Sequence, residues 1–232
     1  MAAETIALVG ESGSGKSTSL RNLNPEETFI ISTTSKPLPF RGWRSKYKLL
    51  KKDSTGNWTG NYYIGSKYDS IIKVLKIVDQ KLTNVKQVII DDWQYMLSYE
   101  FVDRATESGY TKFSEIAQHA MEVLRYADVM RDDCKIVFLT HSENTGDTLN
   151  PKYSIKTVGK LLTEKVTLEG LFTYIFFTKV QEDDNGKIEY KLITNTDGEC
   201  VAKTPMGMFD DLLIDNDLDA IIKVIDAYNN EV

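Results

Sequence analysis

The sequence predicts an α/β fold with a mostly parallel central sheet, helices on both faces and an antiparallel hairpin extending one edge. Three observations support this prediction. Short apolar runs alternate with amphipathic segments, a glycine-rich loop follows the first run, and Asn185-Gly186 joins two β-rich runs. Alternating strands and helices form parallel sheets, whereas Asn-Gly between strands favours a tight hairpin turn. The 232 residues, 41% hydrophobic and 27% charged, suit a single domain over 1–232.

Each element rests on its own pattern. Apolar runs predict strands at 4–9, 27–34, 85–92 and 135–142, and a hairpin at 171–180 and 187–195. Apolar residues at helical spacing predict helices at 69–82, with Asp69 as a cap, at 113–131 and at 217–229. A helix is also expected at 16–23, where Asn24-Pro25 ends the pattern.

The glycine-rich loop reads GESGSGKST and matches the pattern GxxxxGK[ST]. Its glycines let backbone N–H groups converge on phosphates, its lysine adds a positive charge between the β- and γ-phosphates, and its hydroxyl can ligate Mg²⁺. Because the loop lies between a strand and a helix, we interpret the chain as a three-layer P-loop NTPase. The predicted phosphate-binding residues are Gly10, Ser12, Gly13, Ser14, Gly15, Lys16, Ser17 and Thr18.

Polar side chains lie at the ends of the third and fourth predicted strands, 85–92 and 135–142. In VIIDD, Asp91 is predicted to hold Mg²⁺ together with Ser17, and Asp92 to orient or deprotonate the attacking water. Asp92 could instead cap a helix beginning near Trp93. The segment THSE offers His141 or Thr140 as a sensor of the γ-phosphate, with a structural histidine as the alternative.

Two classes of P-loop protein fit poorly. Small-molecule kinases usually close an arginine-bearing lid over the phosphates, but the last arginine here is Arg131. GTPases read guanine with an NKxD segment, and the sequence contains none.

Several segments together resemble the RecA-like ATPases of tailed phages, also described as phage nucleotide-binding or AAA-family proteins. The segments are VIIDDWQYM, RYADVMRDD, VFLTHSE, GKLLTEKVTLEGLFTYIF and AKTPMGMFDDLLIDNDL, beside the P-loop. The resemblance covers nearly the whole chain. It implies a RecA-like core, ATP as the nucleotide, the cytoplasm of an infected bacterium, and a role in recombination, single-strand annealing or replication.

The resemblance also implies a ring or filament of this chain with nucleotide at the subunit interfaces. A cation from the neighbouring subunit would then stabilise the γ-phosphate, and Lys203 matches that place best, followed by Lys160. RecA-type enzymes carry an activating glutamate at the end of their second strand, but here TFIISTTSKP has no carboxylate. Either Asp92 replaces it, or hydrolysis is slow and ATP mainly holds an assembly together.

Residues 35–68 form a basic and aromatic insertion. The net charge of the chain is −6, yet residues 36–52 contain seven Lys or Arg and no acid. Cations follow a phosphate backbone and aromatic rings stack on unpaired bases, which predicts single-stranded DNA as a partner. The alternative is a solvated hairpin or mobile loop whose aromatic residues pack on the core. The candidate DNA-binding residues are Arg41, Trp43, Arg44, Lys46, Lys48, Lys51 and Lys52.

Two functions remain open on the sequence alone. The first is an ATPase of DNA metabolism that acts on single-stranded DNA. The second is a nucleotide-dependent loader or scaffold for a helicase or single-strand-binding protein, which would not bind DNA itself. A membrane partner is not expected, because no apolar run is long enough to span a bilayer and the first residues lack the basic start of a signal peptide.

Overall fold

The computed structural model describes residues 3–158, 162 and 166–230. The strands are β1 (Glu4–Val9), β2 (Thr28–Ser32), β3 (Lys51–Lys52), β4 (Trp58–Thr59), β5 (Tyr62–Ile64), β6 (Gln87–Asp91), β7 (Lys135–Thr140), β8 (Ser142–Asn144), β9 (Tyr153–Ile155), β10 (Tyr174–Glu182), β11 (Ile188–Ile193) and β12 (Leu213–Asp215). The α-helices are α1 (Trp43–Lys46), α2 (Tyr68–Lys81), α3 (Gln94–Asp103), α4 (Thr111–Asp128) and α5 (Leu218–Asn230). Two short 3₁₀ helices span Ser17–Asn22 and Leu168–Leu171.

Eight strands form the central sheet in the order β12-β11-β10-β1-β7-β6-β2-β5. All neighbours from β10 to β5 are parallel, whereas β10–β11 and β11–β12 are antiparallel. The predicted parallel sheet with a hairpin extension is therefore confirmed. The carboxyl ends of β1, β7, β6 and β2 lie at one edge, and this edge collects the functional side chains.

Helices cover both faces of the sheet. On one face, Ala7 and Val9 of β1 belong to a core that includes the apolar sides of α2, α3 and α4. On the other face, Ile6 and Leu8 pack in a second core with the 3₁₀ helix Ser17–Asn22 and α5. Since both faces are covered, β1, β2, β6 and β7 are buried at nearly every residue, which explains their unbroken apolar runs.

One local prediction is confirmed and another is wrong. The segment after the P-loop is helical, as a 3₁₀ helix of 6 residues, and it ends before Asn24-Pro25 as expected. Asp69 does not cap α2, because the helix begins at Tyr68 and the Asp69 carboxylate instead accepts a 3.0 Å hydrogen bond from Lys73.

The basic and aromatic insertion is more ordered than a free loop. It contains the hairpin β3–β4, in which Lys51 pairs with Thr59, and its last strand, β5, joins the central sheet beside β2. Tyr47 and Tyr62 are buried in the second core. The interpretation that these aromatic rings pack on the core is therefore correct for both tyrosines, and neither ring is free to stack on a base.

Candidate nucleotide-binding site

A cavity of about 310 Å³ lies at the carboxyl edge of the sheet. It is formed by the P-loop and by the residues that follow β2, β6 and β7. The lining residues are Ser12, Gly13, Gly15, Lys16, Ser17, Thr18, Thr34, Lys36, Pro37, Pro39, Asp91, Asp92 and His141. The structure thus brings six of the eight predicted phosphate-binding residues together with three of the four polar residues proposed from the later strands.

The other two predicted residues, Gly10 and Ser14, support the loop from behind. A Cβ at Gly10 would lie 1.7 Å from Thr178 Oγ1, so only glycine fits there. The Ser14 hydroxyl donates to the Glu11 carbonyl at 2.7 Å and accepts from Thr178 Oγ1 at 2.7 Å. These contacts fix the P-loop against β10.

Glycine is also required where the loop turns over the cavity. Gly13 and Gly15 have φ angles of 79° and 96°, in the left-handed region that side-chain-bearing residues rarely adopt. The resulting turn is the conformation in which successive backbone N–H groups can face a bound phosphate.

The Lys16 ammonium lies across the mouth of the loop. Nζ donates to the carbonyl oxygens of Gly10 at 2.9 Å and Glu11 at 2.7 Å. Burial lowers the pKa of Lys16 to about 8, although the carboxylates of Asp92 and Asp91 oppose this shift. The lysine is therefore positioned by the loop and lies close to the two carboxylates at the end of β6.

Ser17 and Asp91, the two predicted metal ligands, lie side by side in the cavity. Ser17 Oγ donates to Asp91 Oδ1 at 2.8 Å, which places both oxygens at the floor of the cavity. Burial, followed by the charge of Asp92, raises the pKa of Asp91 to about 6. One hydroxyl and one carboxylate are hard oxygen donors, and Mg²⁺ typically binds few protein oxygens beside phosphates and water. The donor set therefore fits Mg²⁺.

Asp92 has a left-handed backbone conformation that is unusual for a residue other than glycine. Its φ of 61° is the only positive value at a non-glycine residue in the described chain. Such strain is often found at active sites, where the surrounding structure holds it in place. The carboxylate does not cap α3, because the residue before that helix is Trp93 and no side chain makes a capping hydrogen bond. The capping alternative is thus wrong.

The Asp92 carboxylate is surrounded by donors and cations. His141 Nε2 lies 3.5 Å from Oδ1, while Lys36 Nζ lies 3.5 Å and Thr34 Oγ1 lies 3.4 Å from Oδ2. Burial alone would raise the pKa of Asp92, but the hydrogen bond with His141 and the charges of Lys36, His141 and Lys16 lower it below its usual value. Asp92 is therefore ionised near neutral pH and able to accept a proton.

The structure separates the two candidates of THSE. Thr140 is fully buried and its hydroxyl contacts Gln94 Oε1 at 3.4 Å, away from the cavity. His141 lines the cavity, and its ring packs edge-on to the Tyr95 ring, with 6.0 Å between the ring centres. His141 is thus the residue of this pair that can reach a bound phosphate or water.

Lys36 and Thr34 are site residues that the sequence prediction missed. Composition alone groups Lys36 with the basic insertion, and the apolar pattern assigns Thr34 to a strand. Both lie within four residues after the end of β2, whose carboxyl end lies beside that of β6. Their position after a parallel strand was the signal that could have placed them here.

The two lysines predicted to act from a neighbouring subunit do not line this cavity. Lys203 exchanges backbone hydrogen bonds with Ile175, at 2.9 Å in both directions, beside the start of β10. Its role across an interface stays a prediction. Lys160 lies outside the described residues.

The candidate DNA-binding residues lie elsewhere. Trp43, Arg44, Lys48 and Lys51 line a groove of about 1060 Å³, together with residues that precede β2 and β6, such as Glu26 and Asn84. We call this feature the basic groove. It lies at the amino ends of β2 and β6, opposite the nucleotide cavity. Exposed candidates outside the groove lining are Arg41, Lys46 and Lys52.

Two further observations concern metals and membranes. In the part of the chain that the structure describes, no group of three or more His, Cys, Asp or Glu is placed to hold a metal ion. No described helix has the length and apolar character needed to cross a membrane.

Comparison with known proteins identifies the family of the chain. A sequence model of the AAA domain family matches residues 2–206. No curated protein is significantly similar to the chain. Among solved structures, the chain is similar to the genome packaging NTPase B204 from Sulfolobus turreted icosahedral virus 2 in complex with ATPγS, with 12% identity, a TM-score of 0.37 and coverage of 79% of this chain and 78% of that chain. Because the family match extends from the P-loop through the C-terminal hairpin, the chain belongs to the AAA domain family.

Proposed function

We propose that the protein hydrolyses ATP with Mg²⁺ and uses this activity in DNA metabolism on single-stranded DNA, in recombination, annealing or replication. The observation that carries the ATPase proposal is the hydrogen bond of 2.8 Å between Ser17 and Asp91, with Asp92 directly beside it. It joins the end of the P-loop to the acidic end of β6, as metal-dependent phosphoryl transfer requires.

The residues of the cavity divide the chemistry among them. The P-loop N–H groups and Lys16 bind the phosphates, and Ser17 and Asp91 would hold Mg²⁺, which neutralises phosphate charge when bound. A water oxygen attacks the γ-phosphorus, and the bond to the β,γ-bridging oxygen breaks with its electron pair leaving on ADP. Asp92 accepts the proton of the attacking water, and His141 orients the carboxylate.

Phosphate release measured on purified variants tests this proposal. Lys16→Ala is expected to abolish turnover, and Asp92→Asn to lower it by a factor on the order of 10² while retaining ATP binding. Asparagine tolerates the positive φ of this position, so the backbone should survive the change. Full turnover in Asp92→Asn would show that another group activates water.

The basic groove supports the DNA part of the proposal. Exposed Arg44, Lys48 and Lys51 surround it, and the Arg44 guanidinium lies 5.4 Å from the centre of the half-buried Trp43 ring. Cations beside an accessible aromatic ring suit a single strand, whose binding should weaken steeply with salt.

The chain offers a matched control for this test. Replacing Arg44, Lys48 and Lys51 by Gln removes three charges from the groove, and replacing Arg41, Lys46 and Lys52 removes the same charge outside it. We expect the first triple variant to lose most oligo-dT binding and the second to lose little. Equal losses would mean that overall charge, not the groove, binds DNA.

One observation favours the second candidate, a nucleotide-dependent loader or scaffold. Leu49 and Ile64 line the same groove and are 59% and 43% exposed, which suits an apolar protein segment. ATP turnover that oligo-dT leaves unchanged, beside unimpaired ATP binding, would favour this function over direct action on DNA.

A further inference from the structure

Lys36 lines the nucleotide cavity, although the sequence pattern around it indicates only a basic insertion. Its Nζ lies 3.5 Å from Asp92 Oδ2 and 5.1 Å from the centre of the Tyr95 ring. Among the described residues that line the cavity, the lysines are Lys16 and Lys36, and there is no arginine. Lys36 is thus the second lysine of the site, and it is contributed by the segment after β2 rather than by the P-loop.

The backbone around Lys36 is held by its neighbours. Pro37 and Pro39 follow it, and proline fixes φ near −65°. Leu38 between them is buried in the second core. On the other side, the Thr33 hydroxyl donates to the carbonyl oxygens of Asp91 at 3.1 Å and Asp92 at 2.6 Å. The ammonium therefore extends from an anchored segment, which lowers the entropic cost of placing it.

The ion pair with Asp92 leaves Lys36 free to change partner. The Lys36 side chain is 64% exposed and its separation from the carboxylate is 3.5 Å. The Asp92 side chain is only 12% exposed and keeps its contacts with His141 and Thr34, so the carboxylate remains paired when the ammonium moves. A phosphate with two or more negative charges in the same cavity is a stronger attractor for the ammonium than one carboxylate.

We propose that Lys36 is a second cation, beside Lys16 of the P-loop, that the chain itself supplies to the γ-phosphate of ATP. It contacts the terminal phosphate oxygens in the bound state and stabilises the charge that develops on them as water attacks and the bond to the bridging oxygen breaks. Transfer of Lys36 to the phosphate also breaks the ion pair at Asp92 Oδ2, which leaves this oxygen in contact with Thr34 and lets it receive the proton of that water. The proposal rests on the proposed ATP site and names a residue that completes it.

The first measurement is equilibrium binding of ATPγS and ADP, because only ATPγS carries the γ-group. Lys36→Met should weaken ATPγS by about tenfold and leave ADP unchanged, whereas Lys36→Arg, which retains the charge, should keep most of the preference. Lys67→Met is the matched control, since Lys67 is an exposed lysine of the same insertion outside both cavities. Equal affinities of wild type and Lys36→Met for ATPγS would overturn the proposal.

Single-turnover phosphate release gives the second readout. Lys36→Met should slow the chemical step by a factor on the order of 10² even at saturating ATP. The binding comparison is repeated in Asp92→Asn. If Lys36 contacts phosphate, Lys36→Met still weakens ATPγS binding in the Asp92→Asn background. If Lys36 only holds the Asp92 carboxylate, Lys36→Met has no effect on affinity in that background, and this result would also overturn the proposal.

The two readouts separate the two proposals. If the wild-type protein binds ATPγS in preference to ADP through Lys36 but releases no phosphate, the ATPase proposal fails and the Lys36 contact stands. If phosphate is released and neither affinity nor rate depends on Lys36, the ATPase proposal stands and the Lys36 contact fails.

Discussion

Asp91 and Asp92 are adjacent residues, and folding shifts the pKa values of their carboxyl groups in opposite directions. Burial and the neighbouring charge raise the pKa of Asp91 to about 6, whereas His141 and Lys36 overcome burial and lower that of Asp92. An acid with a raised pKa destabilises the fold once it is ionised, and an acid with a lowered pKa stabilises it. The residue best suited to bind a cation therefore opposes folding when no cation is bound.

Asp91→Asn should make the protein without nucleotide and Mg²⁺ more stable. The amide keeps an acceptor for the Ser17 hydroxyl but has no charge to bury. From a shift of 3.8 to about 6, the free energy of unfolding should rise by about 1–3 kcal/mol above about pH 7. The gain should shrink as the pH falls through 6 and disappear below about 4, where Asp91 is protonated in both states. Urea unfolding at two pH values measures it.

Asp92→Asn is the control for that experiment. Its carboxylate has a lowered pKa in the fold, so its removal should decrease the free energy of unfolding at neutral pH, the opposite sign. Stabilisation by both substitutions would mean that repulsion between the two carboxylates dominates the site.

Lys16 should take up a proton when nucleotide binds at alkaline pH. Its pKa of about 8 in the free protein means that the amine is mostly neutral at about pH 9, and the phosphates of ADP restore its charge. Calorimetry in buffers of different ionisation enthalpy should show uptake of close to one proton at that pH. Lys16→Arg remains charged and should show almost none. Equal uptake by both proteins would assign the proton to another group.

At the scale of elements, the P-loop depends on β10 for its shape. Gly10→Ala would drive a methyl group to within 1.7 Å of Thr178 Oγ1. We expect a loss of about 1–3 kcal/mol in the free energy of unfolding, as in other overpacked sites, and weaker nucleotide binding. Adding Thr178→Ala should restore part of both losses, because it removes the clashing hydroxyl. Recovery should be only partial, because alanine keeps a Cβ atom, which lies 2.9 Å from the new methyl group. Thr178→Ala alone supplies the baseline, and no recovery would place the clash elsewhere.

The elements also show what sequence patterns can and cannot predict. β1, β6 and β7 were predictable because burial on both faces requires continuous apolar runs. β5 has only 3 residues between polar turns, and its place in the sheet depends on pairing with distant β2. Lys36 was misassigned for a related reason: composition links it to the basic insertion, whereas strand order places it beside Asp92.

At the scale of the whole molecule, the insertion connects the two candidate ligand sites. It begins at the nucleotide cavity with Lys36 and ends with β5, which lies beside the basic groove. Asn61 holds the end of the insertion near β5 in place, since its side-chain amide donates a hydrogen bond to the Pro25 carbonyl at 2.8 Å. A ligand that displaces groove residues therefore acts on the same segment that carries Lys36, which gives a physical route by which a bound partner could change ATP turnover.

An assembly of several chains would distinguish Lys36 from Lys203, the two lysines outside the P-loop that are assigned to the γ-phosphate. Lys36 lies in the cavity of its own chain, and Lys203 is predicted to act on the neighbouring subunit. Mixing inactive Lys16→Ala with Lys203→Ala should restore turnover to about a quarter of the wild-type rate, because half of the sites retain Lys16 and half of those adjoin an intact Lys203. Mixing Lys16→Ala with Lys36→Met should restore none, since no neighbour can replace a lysine of the same chain. If Lys203→Ala alone keeps full turnover, the γ-phosphate needs no cation from Lys203; if Lys16→Ala rescues Lys36→Met, Lys36 acts between subunits.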